Sequence, residues 1–214
     1  MTDKKIRTML VDDHAVVRTG YKLLLSGDPE IEIIAELESG EEANQQAREL
    51  KPDVIVMDLS MPGMGGLEAI RRIKAKNPEI RILVFTMHDN VSFVEHAMEA
   101  GASGYITKNN APNVLLQAVR QIAEGAQYIE PGLEEEMKVQ HKLGKGSALS
   151  NLSHREFQIF TLFAEGLNAN DIANDLSLSV KTVANYQTQI KEKLGVNSTT
   201  ELVKLAISNG IIEV

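Results

Sequence analysis

Short apolar runs alternate with amphipathic stretches through the first 125 residues of the 214-residue chain. The apolar runs are rich in Val and Ile, and their continuous hydrophobic character is typical of strands that are covered on both faces. Each stretch between them places apolar residues at helical spacing. This alternation predicts five βα units, and therefore an α/β domain with a five-stranded, doubly wound parallel sheet over residues 5–125.

The bounds of these elements follow from where each pattern begins and ends. The predicted strands cover residues 6–11, 31–36, 54–58, 82–86 and 104–107. The predicted helices cover residues 16–25, 41–50, 67–76, 92–100 and 112–124.

The pattern changes after Gly125. Helical periodicity fades over residues 126–148, where Pro131 and three glycines interrupt a charged stretch, so we predict an interdomain linker that can hold a short helix. Residues 149–214 contain four amphipathic helical segments without a strand pattern, which predicts a small all-α domain of four helices.

Helix starts in this second domain carry recognisable capping signals. Ser153 with Glu156, and Ser198 with Glu201, have the spacing of capping boxes, in which Ser and Glu satisfy free backbone donors reciprocally. Ser179 is a third predicted N-cap.

Composition restricts the classes of protein that remain. The chain is 43% hydrophobic and 24% charged, which is typical of a soluble globular protein, and no apolar run reaches the ~18 residues of a membrane span. The N-terminal segment lacks the pattern of a signal peptide, so we expect a cytoplasmic protein without a membrane partner. The absence of cysteine excludes disulfides, thiolate metal sites and cysteine nucleophiles.

Net charge argues against general binding to polyanions. The chain carries a formal charge of -8, and residues 149–214 carry five cations against seven carboxylates, a net charge of -2. Nonspecific affinity for nucleic acid comes mainly from cations that meet phosphates. Any DNA affinity of the second domain must therefore come from the local placement of its charges.

Polar residues that follow the predicted strands form the candidate chemical site. Strand one is followed by Asp12 and Asp13, strand three ends at Asp58, strand four ends at Thr86, and Lys108 follows strand five. Parallel strands deliver their carboxyl ends to one edge of the sheet, so these groups should converge. Three close carboxylates favour a hard divalent cation, Mg²⁺ or Mn²⁺, and an Asp beside such an ion suits capture of a phosphoryl group.

The same segments carry a specific family resemblance. The runs VDDH at residues 11–14, MDLSMPGMGG at 57–66, FTMH at 85–88 and GYITK at 104–108 resemble the receiver domain of bacterial response regulators. The resemblance implies a flavodoxin-like, CheY-like fold. It also implies that Asp58 accepts a phosphoryl group from the histidine of a sensor kinase.

Further roles follow from this resemblance alone. Asp12 and Asp13 would bind the metal together with Asp58 and the backbone carbonyl of Ser60. Thr86 and Lys108 would contact the phosphoryl group, and Tyr105 would be the aromatic switch residue. Many receivers have proline directly after this lysine, whereas this chain has Asn109.

The third helical segment of the second domain, residues 179–194, is predicted to have a polar face that suits the major groove of DNA. Amide side chains can pair with adenine edges, cations can meet phosphates, and a helix N-terminus adds backbone donors. The run LSHREFQIFTLFAEGLNANDIANDLSLSVKTVANYQTQIKEKLGV at residues 152–196 resembles the LuxR-type helix-turn-helix of the NarL/FixJ response regulators. On that match, residues 171–176 lie in the supporting helix and residues 180–194 form the recognition helix.

The resemblance implies double-stranded promoter DNA as a partner and a homodimer in the phosphorylated state. The expected DNA-contacting residues are Lys181, Thr182, Ala184, Asn185, Tyr186, Thr188, Gln189, Lys191 and Lys193. Two departures from the family affect this set. The family frequently has Arg where Thr199 stands and a basic residue where Ala184 stands, so phosphate contacts are expected to be fewer.

We therefore predict a two-component response regulator that acts as a transcription regulator and is not an enzyme beyond catalysing its own phosphorylation and dephosphorylation. One alternative is a DNA-binding regulator that works without phosphorylation; the intact acidic site argues against it. A second alternative is a metal-dependent phosphatase that uses Asp58. The second aspartate of haloacid-dehalogenase phosphatases is absent, because Ser60 stands two residues after Asp58.

Overall fold

The computed structural model describes residues 5–142 and 148–212. Contacts divide the chain into two compact units. The first comprises Met1–Asp89 and Ala97–Glu135, and the second comprises Asn90–His96 and Glu136–Val214.

Regular elements alternate as the sequence predicts. The strands are β1 (Ile6–Val11), β2 (Ile31–Leu37), β3 (Val54–Met57), β4 (Arg81–Thr86), β5 (Gly104–Thr107) and β6 (Tyr128–Ile129). The helices up to residue 142 are α1 (Ala15–Ser26), α2 (Gly40–Leu50), α3 (Gly66–Lys76), α4 (Val91–Ala100), α5 (Ala111–Ala123) and α6 (Pro131–Lys142). After residue 147 come a 3-10 turn (Ala148–Asn151), α7 (His154–Ala164), α8 (Ala169–Asp175), α9 (Val180–Leu194) and α10 (Thr199–Ser208).

The sheet confirms the predicted doubly wound architecture. Its strand order is β2-β1-β3-β4-β5-β6, and every neighbouring pair is parallel. The chain reverses its direction of progress across the sheet between β1 and β3, which is where doubly wound sheets bind ligands. The carboxyl ends of β1, β3, β4 and β5 therefore lie at the same edge.

The sixth strand corrects the prediction of five. In β6, Tyr128 and Ile129 pair with Gly104 and Tyr105 of β5. Two residues are too few to show a strand periodicity, and they lie within the segment that we predicted to be a linker. The same segment contains α6, and its residues 143–147 lie outside the described residues.

Apolar side chains from alternate strand positions form the core beneath α1 and α5. Leu10, Val56 and Phe85 belong to one buried cluster with Leu25 of α1 and Leu115 of α5. Their neighbours along the strands are also buried, as expected for strands that are covered on both faces.

The second unit is helical over its described residues, which confirms the predicted all-α domain. Phe157 and Phe160 of α7, Ile172 of α8, Ile190 of α9 and Leu202 of α10 are buried. Helix α7 contacts α8, α9 and α10, so these apolar faces meet around it.

The helix caps agree closely with the sequence. Ser153 and Glu156 form the complete capping box, and Ser179 accepts a hydrogen bond from the N–H of Thr182. Ser198 accepts from the N–H of Glu201, but the Glu201 carboxylate accepts from the N–H of Asn197 instead of Ser198. The second capping box is therefore only partly as predicted.

A glycine allows the first turn of α3 to lie against the backbone of Asp58. A Cβ at Gly66 would lie 2.2 Å from the carbonyl oxygen of Asp58 and 2.7 Å from Cα of Leu59. The glycines at 63 and 65 have φ of 77° and 69°, in the left-handed region that favours glycine. The run GMGG thus forms the turn that leads into α3, directly against the Asp58 backbone.

We expect Gly66→Ala to lower the free energy of unfolding by about 1–3 kcal/mol, because the new methyl group must displace the Asp58 backbone. Gly20→Ala is the matched control. Nothing lies within 4 Å of a Cβ at Gly20, inside α1, so this change should stabilise by about 0.5–1 kcal/mol. Urea denaturation measures both. Equal effects of the two substitutions would contradict the close contact.

Candidate functional site

Three carboxylates meet where β1 and β3 end. Asp12 and Asp13 follow the last residue of β1, and Asp58 follows the last residue of β3. The N–H of Asp58 donates to the carbonyl of Val11 at 2.9 Å, so sheet pairing continues up to the site. Possible ligand atoms of Asp12, Asp13, His14 and Asp58 all lie within 4.8 Å of one another.

Lys108 joins two of these carboxylates. Its Nζ lies 2.6 Å from Oδ2 of Asp58 and 2.7 Å from Oδ2 of Asp12. All three side chains are buried, with exposed fractions of 7% for Lys108, 3% for Asp58 and 8% for Asp12. Ion pairs that are removed from solvent are much less screened than surface pairs. The ammonium therefore holds the edges of β1, β3 and β5 together.

Burial and charge act in opposite directions on this pair. Burial raises the pKa of Asp58 above its usual value, and contact with Lys108 only partly offsets that effect. Burial alone would lower the pKa of Lys108, but the adjacent Asp58 and Asp12 raise it above its usual value. The charged form of Lys108 is therefore favoured, whereas burial disfavours the ionised form of the neighbouring Asp58.

The donor set fits a divalent cation. Asp12, Asp13 and Asp58 supply three carboxylates, and Lys108 offsets one of their charges. The remaining negative charge matches one divalent ion, and hard oxygen ligands favour Mg²⁺ or Mn²⁺. Asp13 is partly exposed, with 28% of its side chain accessible, so one side of the cluster is open to solvent.

Thr86 and Tyr105 lie on the strands beside this cluster. Thr86 ends β4 and is fully buried, and among the described residues its Oγ1 has no hydrogen-bond partner. Its carbonyl accepts a hydrogen bond from the N–H of Lys108 at 2.8 Å. The Tyr105 ring is fully buried, and its hydroxyl donates to the carbonyl of His88 at 2.8 Å. The Tyr105 side chain therefore points into the protein and not toward solvent.

Two histidines at the site were not selected by sequence reasoning. Nδ1 of His14 lies 2.9 Å from Oδ1 of Asp13, and Nε2 of His88 lies 2.8 Å from Oγ of Ser60. Burial lowers the pKa of His88 to about 4, so its imidazole is neutral at pH 7. In the sequence, only their positions next to predicted site residues indicated a role. His14 follows the acidic pair directly, and His88 stands two residues after Thr86.

In the second unit, α9 presents most of the predicted DNA-contacting residues to solvent. Exposed positions recur along one face at helical spacing. The exposed members of the predicted set are Lys181, Ala184, Asn185, Thr188, Gln189 and Lys193. The remaining members, Thr182, Tyr186 and Lys191, are half-buried.

Lys193 also has a partner within its own unit. Its Nζ lies 2.6 Å from Oε2 of Glu156, the carboxylate that completes the capping box of α7. The ion pair connects the end of α9 to the start of α7. The predicted DNA contact of Lys193 stays a prediction, and it would compete with this internal pair.

Comparison with known families agrees with both parts of this description. Residues 8–120 match the response regulator receiver domain, and residues 150–206 match the family of bacterial regulatory proteins, luxR family. The chain belongs to the response regulator family. It is a two-component response regulator with a receiver domain and a LuxR-type DNA-binding domain, and it is a transcription regulator rather than a classical enzyme.

Individual relatives match this response regulator along nearly its whole length. It is 40% identical over 209 residues to the transcriptional activator protein ExaE of Pseudomonas putida, covering 96% of this chain and 98% of that protein. RcsB of Salmonella enterica serovar Typhimurium, bound to promoter rprA in the presence of the phosphomimetic BeF3⁻, is 26% identical, with a TM-score of 0.71. That match covers 94% of this chain and 98% of RcsB.

A further RcsB structure contains two dimers bound to two parallel DNAs. It is also 26% identical, with a TM-score of 0.61 over 95% of this chain and 98% of that one.

Receiver domains of this family typically bind Mg²⁺. Within residues 5–142 and 148–212, no helix is long and apolar enough to cross a membrane.

We expect Asp58→Asn to raise the free energy of unfolding at pH 7 in the presence of a metal chelator. A raised pKa means that the folded state binds this proton more readily than the unfolded state, so the wild-type protein loses stability as pH rises from 3.8 through the folded pKa. The difference between the two proteins should therefore grow over this range and be small below it.

Urea denaturation at a series of pH values measures the difference. Asp89→Asn, at an exposed carboxylate, is the control and should show little change. Added Mg²⁺ should narrow the gap at pH 7, because binding to the folded wild-type site stabilises it. A gap that was constant with pH would contradict the effect of burial on Asp58.

Proposed function

We propose that Asp58 is the phosphoacceptor of this response regulator. The observation that carries the proposal is the buried Asp58 carboxylate, which lies 2.6 Å from the ammonium of Lys108. Thr86, which ends the neighbouring strand β4, has a buried hydroxyl without a hydrogen-bond partner among the described residues. A carboxylate oxygen of Asp58 would attack phosphorus of a kinase phosphohistidine. A P–O bond forms, the P–N bond breaks, and the histidine nitrogen leaves with the electron pair.

The surrounding residues would stabilise the phosphoryl group and bind the metal ion. Lys108 would offset charge on the phosphoryl oxygens, and Oγ1 of Thr86, which has no partner among the described residues, would donate a hydrogen bond to one of them. The proposed metal ligands are Asp12, Asp13, Asp58 and the carbonyl of Ser60. When bound, the divalent ion would neutralise negative charge and bridge to phosphate oxygens.

The receiver would thus catalyse its own phosphorylation and, with water as the nucleophile, its own dephosphorylation. Tyr105 is the proposed switch residue. It pairs with Val84, two residues before Thr86, so the side chains of Tyr105 and Thr86 lie on the same face of the sheet. The Tyr105 hydroxyl donates to the carbonyl of His88 in the loop after β4. A phosphoryl group at Asp58 can shift an equilibrium between two arrangements of Thr86 and Tyr105 only by as much as its affinities for the two arrangements differ. Typical couplings of this kind are about 1–3 kcal/mol.

For the second domain we propose recognition of double-stranded promoter DNA by α9. Its exposed face carries Lys181 for phosphates, and Asn185 and Gln189 for base edges. The activator function of ExaE and the promoter-bound state of RcsB support this assignment by similarity. The domain's net charge of -2 means that affinity depends on these few placed groups.

We further propose that phosphorylation favours a homodimer. The structure of the relative RcsB with two parallel DNAs contains dimers, which supports the dimeric state on DNA by similarity. Two linked recognition helices would bind half-sites about one helical turn apart. The proposed domains are residues 5–125 and 149–214, joined by the linker segment 126–148, which also contributes β6 to the receiver sheet. Because a sensor kinase domain and promoter DNA both lie in the bacterial cytoplasm, we propose that the protein acts there.

With Mg²⁺ and a small phosphodonor, we expect one phosphoryl group per chain, located at Asp58, because that carboxylate lies against both Lys108 and the acidic pair. Intact-mass analysis with peptide mapping measures it. Asp58→Asn should remove the modification, whereas Asp89→Asn should retain it. Equal phosphorylation of Asp58→Asn would overturn the assignment.

The phosphorylated samples also test the coupling between domains. Analytical ultracentrifugation and DNA titration should show more dimer and tighter binding than the unphosphorylated protein shows. Unchanged association and unchanged DNA affinity after complete phosphorylation would favour the alternative of a regulator that works without phosphorylation.

On the recognition helix, we expect Lys181→Ala to weaken binding to all DNA sequences similarly and to reduce the salt dependence by about 1 in slope, if Lys181 meets one phosphate. Asn185→Ala should instead alter base preference. Titration against specific and random duplexes at several salt concentrations, with binding-site selection, separates the two effects. An unchanged selected motif for Asn185→Ala would remove its proposed base contact.

A further inference from the structure

A buried carboxylate outside the acidic site fastens the turn that carries Lys108. Glu130 follows β6 directly and is only 8% exposed. Its N–H donates to the carbonyl of Tyr105 at 3.0 Å, which extends the β5–β6 pairing by one residue. This pairing brings the Glu130 side chain to the carboxyl end of β5.

Glu130 accepts three hydrogen bonds from that end of β5. Its Oε2 accepts from the backbone N–H of Thr107 at 2.8 Å and from the Thr107 hydroxyl at 2.9 Å, and its Oε1 accepts from Nδ2 of Asn110. All three donors are neutral groups. A buried carboxylate is costly unless such donors satisfy it, and hydrogen bonds to an ionised acceptor are strong.

The turn at residues 107–110 is therefore held from two sides. Glu130 binds Thr107 and Asn110, while the N–H of Lys108 donates to the carbonyl of Thr86 on the neighbouring strand. Lys108 lies between these attachments, and its ammonium reaches Asp58 and Asp12. A shift of the Thr107 backbone would move the start of the lysine side chain.

Glu130 also stands at the start of α6. The helix begins at Pro131, and the carbonyl of Glu130 accepts a hydrogen bond from the N–H of Glu134 at 3.0 Å. One residue thus contacts the Lys108 turn through its side chain and the first turn of α6 through its backbone.

We propose that Glu130 is a positioning residue for the phosphoryl site, which sets the placement of Lys108 and couples it to the start of α6. The inference rests on the proposed function of Asp58. When Lys108 transfers its contacts from the carboxylates to a phosphoryl group, the resulting displacement of the 107–110 turn is passed through Thr107 and Asn110 to Glu130. The first turn of α6 then responds to the state of Asp58.

The decisive variant is Glu130→Gln, which keeps the size of the side chain but turns one acceptor oxygen into a donor. Glu135→Gln, at an exposed carboxylate of α6, makes the same change in charge and is the matched control. Each protein is prepared with and without phosphorylation at Asp58, which is quantified by intact mass. Hydrogen–deuterium exchange then follows residues 104–110 and 131–135.

In the wild type and in Glu135→Gln, phosphorylation should change exchange in both segments. In Glu130→Gln, exchange at residues 131–135 should no longer respond, and phosphorylation should be slower by about 5-fold, the effect of one hydrogen bond. A merely structural role would lower stability without removing this response. If Glu130→Gln fails to fold, Thr107→Val is the substitute test. It removes one of the three donors to Glu130 and should give an intermediate response.

A response in Glu130→Gln equal to the wild type, with phosphorylation intact, would overturn the inference alone. Absence of phosphorylation at Asp58 in the wild-type protein would overturn the proposed function and this inference with it. The mass measurement on the wild type distinguishes the two failures.

Discussion

The contact of one buried ammonium with two buried carboxylates is the interaction on which the receiver depends. Lys108 lies 2.6 Å from Asp58 and 2.7 Å from Asp12, and these three groups come from three different strand ends. Without Lys108, the carboxylates would repel each other in a region from which water is largely excluded. The cluster is stable only while the sheet holds these ends together, and it still carries a negative charge that suits a divalent ion.

The backbone around this cluster leaves little freedom. Gly66 allows α3 to begin directly against Asp58, and the Lys108 turn is fastened by Thr86 on one side and by Glu130 on the other. Closely packed regions have few alternative arrangements, so a change of charge at the centre would be passed on as a small shift of whole segments. The coupling that we propose between the site and distant parts of the receiver would have this physical basis.

The second domain depends on a different balance. Its helices meet around α7 through apolar faces, and its ion pair between Lys193 and Glu156 serves helix packing. With few cations and a net charge of -2, it does not attract DNA by overall charge. The DNA recognition that we propose would therefore be concentrated on the face of α9 that includes Lys181 and Asn185. A dimer would compensate for weak single-site affinity by linking two such faces.

Local patterns along the chain were sufficient to predict the five βα units, the helical second domain and the residues of the acidic cluster. Hydrophobic periodicity is a local property, so the elements could be predicted from it. Residues at the carboxyl ends of parallel strands lie at one edge of the sheet, so the proximity of Asp12, Asp58 and Lys108 could be predicted as well. The remaining features depend on contacts that form only in the folded chain. Strand β6 is too short to leave a pattern, and Glu130 stands in a charged segment where nothing local distinguishes a buried carboxylate from an exposed one. Its partners Thr107 and Asn110 lie 20 or more residues away along the chain, and hydrogen bonds over such distances arise only when the sheet has formed. The internal partner of Lys193 was hidden for the same reason, because α7 and α9 meet through packing that no local pattern records.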